Sequence, residues 1–324
     1  MRDTFFGKRA SWAPAALALV AMPCAAGSFT FTAINDPSSN QNTFVYGINN
    51  NGVVVGQYGS TQSFTYNGSV YTTLNDPSAA NPYGTGNTFA QGINDSGSVV
   101  GFYYNGSGYS GFLYNGSAYT TLNDPSGING YGGTRANGIN DSGEVVGLYE
   151  TYSGSNGFLY NGSTYSTIND PAGQQTAATG INSSGEITGF YVDSSGNTNG
   201  FVYNAGTYTT LDDPLGSETW AWGINDSGEV VGYYYNGSGY LGFLYNGGTY
   251  TTINDPLGTE STWAYGINDS GEIAGTIGTN DPYEGFTAVA NPTPEPDTGG
   301  LLLYAFGFAL AAMGFSRRRK SSRR

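Results

Sequence analysis

The chain has 324 residues, with 10 Lys and Arg against 24 Asp and Glu, no His and one Cys. The absence of His removes Ser-His-Asp triads, Cys-His dyads and His-ligated metals, and one Cys builds neither an intramolecular disulfide nor a zinc site. Nine of the ten bases lie in the two ends, so residues 27–290 carry 21 acids against Arg135 alone, a formal −20 that argues against nucleic acid and anionic membrane surfaces as partners.

Residues 1–26 read as a secretory signal peptide. Arg2, Lys8 and Arg9 form a basic start, Ala13 to Met22 is an apolar run expected to be helical, and Cys24-Ala25-Ala26 offers small residues before a cleavage point at Gly27. Met22 and Pro23 do not suit lipidation of Cys24. Cleavage leaves a mature chain without thiols, which suits an exported protein that makes no disulfides.

The segment 27–290 is one unit written six times. Gly-Ile-Asn begins at Gly47, Gly92, Gly138, Gly180, Gly223 and Gly266, at spacings of 42 to 46 residues. Each copy is followed by a Gly-Phe-Leu-Tyr-Asn-Gly type of run, as at Gly242, and then by Tyr-Thr-Thr-Leu/Ile-Asn-Asp-Pro, as from Tyr250 to Pro256. Each unit predicts four strands. In the fifth copy they cover Thr219 to Ile224, Glu229 to Tyr235, Leu241 to Tyr245 and Thr249 to Ile253. Turns of Asn, Asp, Ser and Gly separate them, and a Pro ends the last. Four antiparallel strands per roughly 43 residues match a β-propeller blade. A doubled β-trefoil and an open β-solenoid are the alternatives.

The ends of the repeat favour the propeller. Phe29 to Ile34 is a fourth strand with no preceding three, while Thr262 to Ile267, Glu272 to Ile277 and Gly285 to Ala290 are three strands with no fourth. Joined, they complete a sixth blade and close the ring. Side-chain alternation puts Trp220, Trp222 and Ile224 on one face of strand one, with Ala221 and Gly223 on the other. Bulky faces are expected to pack on the smaller faces of the next blade, so Gly223→Val should destabilise the domain.

Gly-Ile-Asn-x-x-Gly-x-Val-x-Gly, followed by an aromatic strand, resembles the HAF family of extracellular repeats over about 28–290. The family's His-Ala-Phe triplet is replaced here by Gly-Phe-Leu or similar. The resemblance implies a secreted propeller-like protein and supplies no catalytic residues.

After a linker at 291–299, Gly300 to Phe315 is an uncharged apolar run, roughly 24 Å long as a helix and a little short of a bilayer core of about 30 Å. Arg317-Arg318-Arg319-Lys320 would hold its far end on the cytoplasmic side. Pro294-Glu295-Pro296, this transmembrane helix and the basic end together resemble the PEP-CTERM sorting signal of Gram-negative bacteria over about 292–324. That resemblance implies recognition of Pro294, Glu295 and Pro296 by a membrane exosortase, and a setting in exopolysaccharide or biofilm. Thr293 stands where members often carry Val. A plain C-terminal anchor is the other reading. The whole chain is thus expected to be an all-β, six-bladed propeller at the cell surface, with a signal helix (1–26) and a tail at 300–324.

The chemistry inside the repeat is sparse. Asp95, Asp141, Asp226 and Asp269 recur in turns and Asp76, Asp124, Asp170 and Asp255 recur before Pro, so they read as structural. Only Glu150, Glu218, Glu260 and Glu284 are irregular enough to suit a two-carboxylate glycosidase. Asn-Asp-Ser-Gly-Glu lacks the alternating acids of a calcium loop, and neither metal nor cofactor is expected. Strand one is where the copies differ. In a propeller it lines the central channel, and it holds the single cation Arg135 and every Trp of the repeat region: Trp220, Trp222 and Trp263. Those four are the candidate ligand site, for a sugar, an anionic group or a peptide. Binding rather than catalysis is the expected function, with a secreted carbohydrate-active enzyme as the alternative.

Overall fold

The computed structural model describes residues 28–292, apart from 36–41, 60–61, 81–86, 129–132, 259–260 and 280–281. The signal segment, Pro294-Glu295-Pro296 and the apolar run at 300–315 lie outside the described residues. Among those described, no helix is long and apolar enough to cross a membrane.

The described residues form 24 strands in six separate four-stranded antiparallel sheets. Each sheet is one blade: 43–74, 88–122, 134–168, 175–211, 218–253, and 261–290 completed by 29–34. Blade 5 shows the pattern, with β18 (Glu218–Ile224), β19 (Val230–Tyr235), β20 (Tyr240–Asn246) and β21 (Thr249–Ile253) in simple up-and-down order. These bounds differ from the expected ones by one residue at four of the eight ends and agree at the other four. The first strands of neighbouring blades touch all the way round, so they line the axis. Six sheets in a closed ring exclude a trefoil and a solenoid.

The ring closes as the split repeat requires. Strand β1 (Phe29–Ile34) runs antiparallel to β24 (Glu284–Ala290), with Phe29 opposite Ala290 and Ile34 opposite Gly285. Thus the last blade contains both ends of the repeat region.

One closed ring of hydrogen bonds and a second, broken between Asp141 and Ser183, explain why Gly-Ile-Asn is repeated. The Asn Oδ1 turns back to accept backbone N–H groups of its own turn, as Asn225 does from Ser227 and Glu229. Its Nδ2 donates to the carbonyl of the same Asn in the next blade. That chain runs through Asn49, Asn94, Asn140, Asn182, Asn225 and Asn268 and back to Asn49, at 2.9–3.2 Å. One residue further on, backbone N–H groups donate to the next blade's side-chain oxygen, for example Asp226 to Asp269 Oδ1 at 2.8 Å. The Asp before each Pro is also structural. Asp213 accepts the Leu215 N–H on Oδ1 while its own N–H donates to Thr219 Oγ1 of the next blade.

Packing follows the expected bulky-on-small scheme. Phe64, Phe112, Phe158, Phe201, Phe243 and Phe286 are buried at one equivalent position per blade. Phe243, Val230 and Tyr234 of blade 5 join Leu211 and Val202 of blade 4, whereas Val231, Ile253 and Leu244 of blade 5 join Phe286 and Ile273 of blade 6. The alternation within strand one needs correction. Ala221 pairs with Gly232 and Gly223 with Val231, so Trp222 is the extra residue of a β-bulge and simple period two stops there. The same shift recurs in every blade's first strand.

Candidate functional site

The axis has two different ends. At one end strand one runs into its Asn-Asp turn, and the ring there is Asn50, Asp95, Asp141, Ser183, Asp226 and Asp269. Within the channel, a cavity of about 70 Å3 is lined by the Gly-Ile steps and by Tyr46, Gln91, Asn137, Thr179, Trp222 and Tyr265. That volume holds a few waters and no sugar. A sugar would have to sit outside this cavity, and a recess of about 160 Å3 does lie off the axis beside Tyr109, between blades 2 and 3.

The acidic mouth is held by the backbone. Asn50 Nδ2 bridges Asp95 and Asp269 at 2.8 and 2.6 Å, and the Asp95 N–H donates to Asp141 Oδ1. Partial burial, then the neighbouring Asp95 and Asp226 carboxylates, push the Asp141 carboxyl above its ordinary value, against the opposing pull of the Asp95 N–H. A carboxyl whose pKa is raised by folding binds its proton more tightly in the folded state. Its contribution to stability is therefore present at low pH and lost as pH rises from the ordinary carboxylate range through the raised value. Asn50 shows that an amide fits this ring, because its Oδ1 accepts the Asp269 N–H. Asp141→Asn should raise the melting temperature at pH 7 by about 1–2 °C, since the site is mostly solvated. The gain should vanish at pH 3. Scanning fluorimetry across pH checks this, and a gain that is the same at both pH values would contradict it.

The opposite mouth is aromatic. Blade 5 places Trp220 from β18, Tyr233 from β19 and Tyr240 from β20 in one cluster. Trp220 stacks on Tyr233 at 5.1 Å and meets Tyr240 edge-on at 5.6 Å. Blade 2 builds the same trio from Phe89, Phe102 and Tyr109, at 5.0 Å for the stacked pair. In a six-membered ring these two blades face each other across the axis. The next blade then lays a flat group on the Tyr: Trp263 on Tyr240 at 6.0 Å, and Arg135 on Tyr109 with its guanidinium carbon 4.7 Å from the ring centroid. Phe44 sits in the same way on Tyr283 at 5.4 Å. These rings are only partly buried.

The four predicted residues therefore occupy three settings. Trp220 and Trp263 both touch Tyr240 and form one surface across blades 5 and 6. Trp222, the bulge residue, points deeper. It meets Tyr265 edge-on at 5.1 Å and lines the small channel cavity. Its indole N–H approaches Tyr233 without completing a hydrogen bond. Arg135 lies on blade 2's aromatics, over Tyr109 and Phe102. Burial keeps the channel phenols neutral: Tyr46 is pushed up to about 12, and Tyr233 and Tyr265 rise further. Sequence reasoning did not single out Tyr109, Tyr240 and Tyr283. Their shared place two residues before the strand-three Gly was the available signal.

The acids are mostly occupied. Glu144, Glu186 and Glu229 accept from their own turn's Asn, and the Asp residues hold turns and blades as described above. Glu150, Glu218 and Glu284 stand at strand ends on the aromatic side, spread over blades 3, 5 and 6, and Glu260 lies outside the described residues.

No family model matches the chain, and no curated protein matches it. Solved structures do. The X-ray structure of a putative gluconolactonase superposes with a TM-score of 0.50 at 14% identity, covering 83% of this chain and 93% of that one. A gluconolactonase from Xanthomonas campestris gives 0.48 at 12% identity, covering 85% and 98%. The Aleuria aurantia lectin in complex with Fucalpha1-6GlcNAc gives 0.49 at 11% identity, covering 80% and 97%. At these identities the likeness is one of fold, and it accords with the six-bladed ring.

Proposed function

We propose that this is an exported surface or matrix propeller that binds carbohydrate at its aromatic mouth and does not turn it over. One observation carries the reading. The copies are nearly uniform where they hold the fold together, and they diverge at strand one. There Trp220, Trp263, Phe44 and Phe89 present half-buried flat rings to the mouth. Flat apolar faces with polar edges suit the C–H faces and hydroxyls of sugar rings, whereas a folded core would bury them fully. Export and exosortase sorting are supported by the signal segment and by Pro294-Glu295-Pro296 before the apolar run and basic tail.

The test is a glycan array probed with the 28–292 domain and with Trp220→Ala and Trp263→Ala. Each variant should weaken retention about tenfold or more, as loss of an aromatic anchor does, measured at a temperature where the variants, less stable for the lost ring contacts, are still folded. Equal retention by wild type and both variants would remove the site. A second reading, a carbohydrate-active enzyme, has one observation in its favour, the three irregular Glu on this same side. Product release by the wild type that is lost in Glu218→Gln would select it.

A further inference from the structure

We propose, resting on the carbohydrate reading above, that the Arg135 seat is a carboxylate-recognition site. The preferred ligand is then an oligosaccharide carrying a single carboxylate, such as one uronate among neutral sugars.

The molecule contains its own control for this residue. Blades 2 and 5 build the same aromatic trio, and the following blade covers each with one flat group. Blade 6 uses Trp263 on Tyr240, and blade 1 uses Phe44 on Tyr283. The seat thus asks for a flat surface and not for a charge. Blade 3 nevertheless places there the only base of residues 27–290.

That base is unsatisfied. Among the described residues Arg135 makes no ion pair and no hydrogen bond, although acids surround it in the chain at large, and its Nε is buried without a partner. What it does contact is the rings of Tyr109 at 4.7 Å and Phe102 at 5.6 Å. Contact with the two rings holds the guanidinium in place and leaves its Nη donors, unlike the buried Nε, for a ligand. Among the described residues the Nη groups have no acceptor, and they are not buried as Nε is, so they are the donors an arriving anion can use. The planar fork matches the two oxygens of a carboxylate. The body's formal −20 repels polyanions at long range, so a ligand with one localised negative charge is favoured over a uniformly charged polymer.

The experiment uses the 28–292 domain against matched oligosaccharide pairs, each a uronate-containing form and its carboxyl-reduced neutral counterpart, with a sulfated form of the same sugar as a third arm. Wild type should hold the uronate form about tenfold or more tighter than the neutral form, the scale of one charge-assisted contact. Arg135→Phe copies the filler of the blade 1 seat, so it should melt with wild type and bind both forms alike, at the neutral form's affinity. Arg135→Lys keeps the charge but loses the fork, and it should lose most of the preference. Equal binding of both forms by wild type overturns the inference and leaves the carbohydrate reading intact, as does a preference that survives in Arg135→Phe. Tighter binding of the sulfated form overturns the choice of carboxylate. Failure of every pair to bind in any form overturns both readings. If Arg135→Phe does not fold, the wild-type comparison and Arg135→Lys still decide.

Discussion

Gly223→Ala should destabilise the domain by about 2 kcal/mol and Gly223→Val by about 3 kcal/mol or more, lowering the melting temperature by roughly 5–12 °C. The reason is the place where blades come closest. A Cβ on Gly223 would lie 2.8 Å from the carbonyl oxygen of Tyr265, 3.0 Å from Cα of Gly266 and 3.2 Å from N of Ile267. All three atoms are backbone of the next blade's first strand, so no side chain can swing aside. Gly266 stands in the same relation to Gly47, and Gly138 to Gly180, so the contact recurs around the axis. Any Cβ pushes two inner strands apart and strains the Asn ring just below, where Asn225 Nδ2 reaches the Asn268 carbonyl at 3.2 Å. Gly237 is the control. It has a φ of +89° and nothing within 4 Å of its missing Cβ, so Gly237→Ala should cost only the conformational strain, about 1 kcal/mol. Thermal melts of the three variants test the order. An unchanged melting temperature for Gly223→Val, or an equal loss for Gly237→Ala and Gly223→Ala, would refute this account of the Gly in Gly-Ile-Asn.

That glycine also marks the boundary of what could be read from the residues alone. Six copies of Gly-Ile-Asn, each ending one strand-length run and set among three others, specify blades because strand period and turn chemistry are local. The orphan strand at Phe29 to Ile34 was legible because no three strands precede it, while three strands at the far end lack a fourth. The roles that act between copies were not legible. Asn225 reads as a turn former, and only the ring geometry brings its Nδ2 to Asn268. Asp141 and Asp269 read as turn acids, yet each accepts a backbone N–H from the preceding blade. Trp222 does share a face with Trp220, since both rings stack on Tyr233, but the bulge moves Ile224 off that face and into the core beside Ala221, which simple period two did not foresee. The candidate site was half legible. The diverging positions of strand one did point to the aromatic mouth. The division into a Trp220–Trp263 surface and an Arg135 seat depends on which Tyr each meets in the neighbouring sheet, and a linear repeat does not state that.

Deleting Phe29 to Ile34 should have the largest effect of all, converting a closed, cooperatively melting domain into an open or aggregating one. Strand β1 matches β24 at six positions, so its loss strips that strand of a full ladder and moves the sheet's free edge inward to β24. Its side chains reach beyond the sheet. Phe31 meets Phe286 edge-on at 5.2 Å, and Ile34 is buried with Val45, Val54 and Phe64 of blade 1 as well as Ala274 of blade 6. Buried apolar side chains of this kind contribute about 1.5–3 kcal/mol each, and each ladder bond about 0.5–1.5 kcal/mol. Together they approach the 5–15 kcal/mol that separates a folded domain from its unfolded chain. The strand is also what anchors the start of the repeat region to its end, so without it blades 6 and 1 are joined only by side-chain and inner-strand contacts. The exposed β24 edge is then a template for another chain. Size-exclusion chromatography should show oligomers or void-volume material, and the melting transition should broaden or disappear. A permuted chain that carries the same six residues after Ala290 through a short turn should restore the closed domain, because Phe29 lies opposite Ala290 and the antiparallel register is kept. If the deletion leaves a monomer with an unchanged melt, closure by β1 is not what holds the ring. If the permuted chain fails while the deletion variant is also lost, position in the chain matters beyond the strand itself.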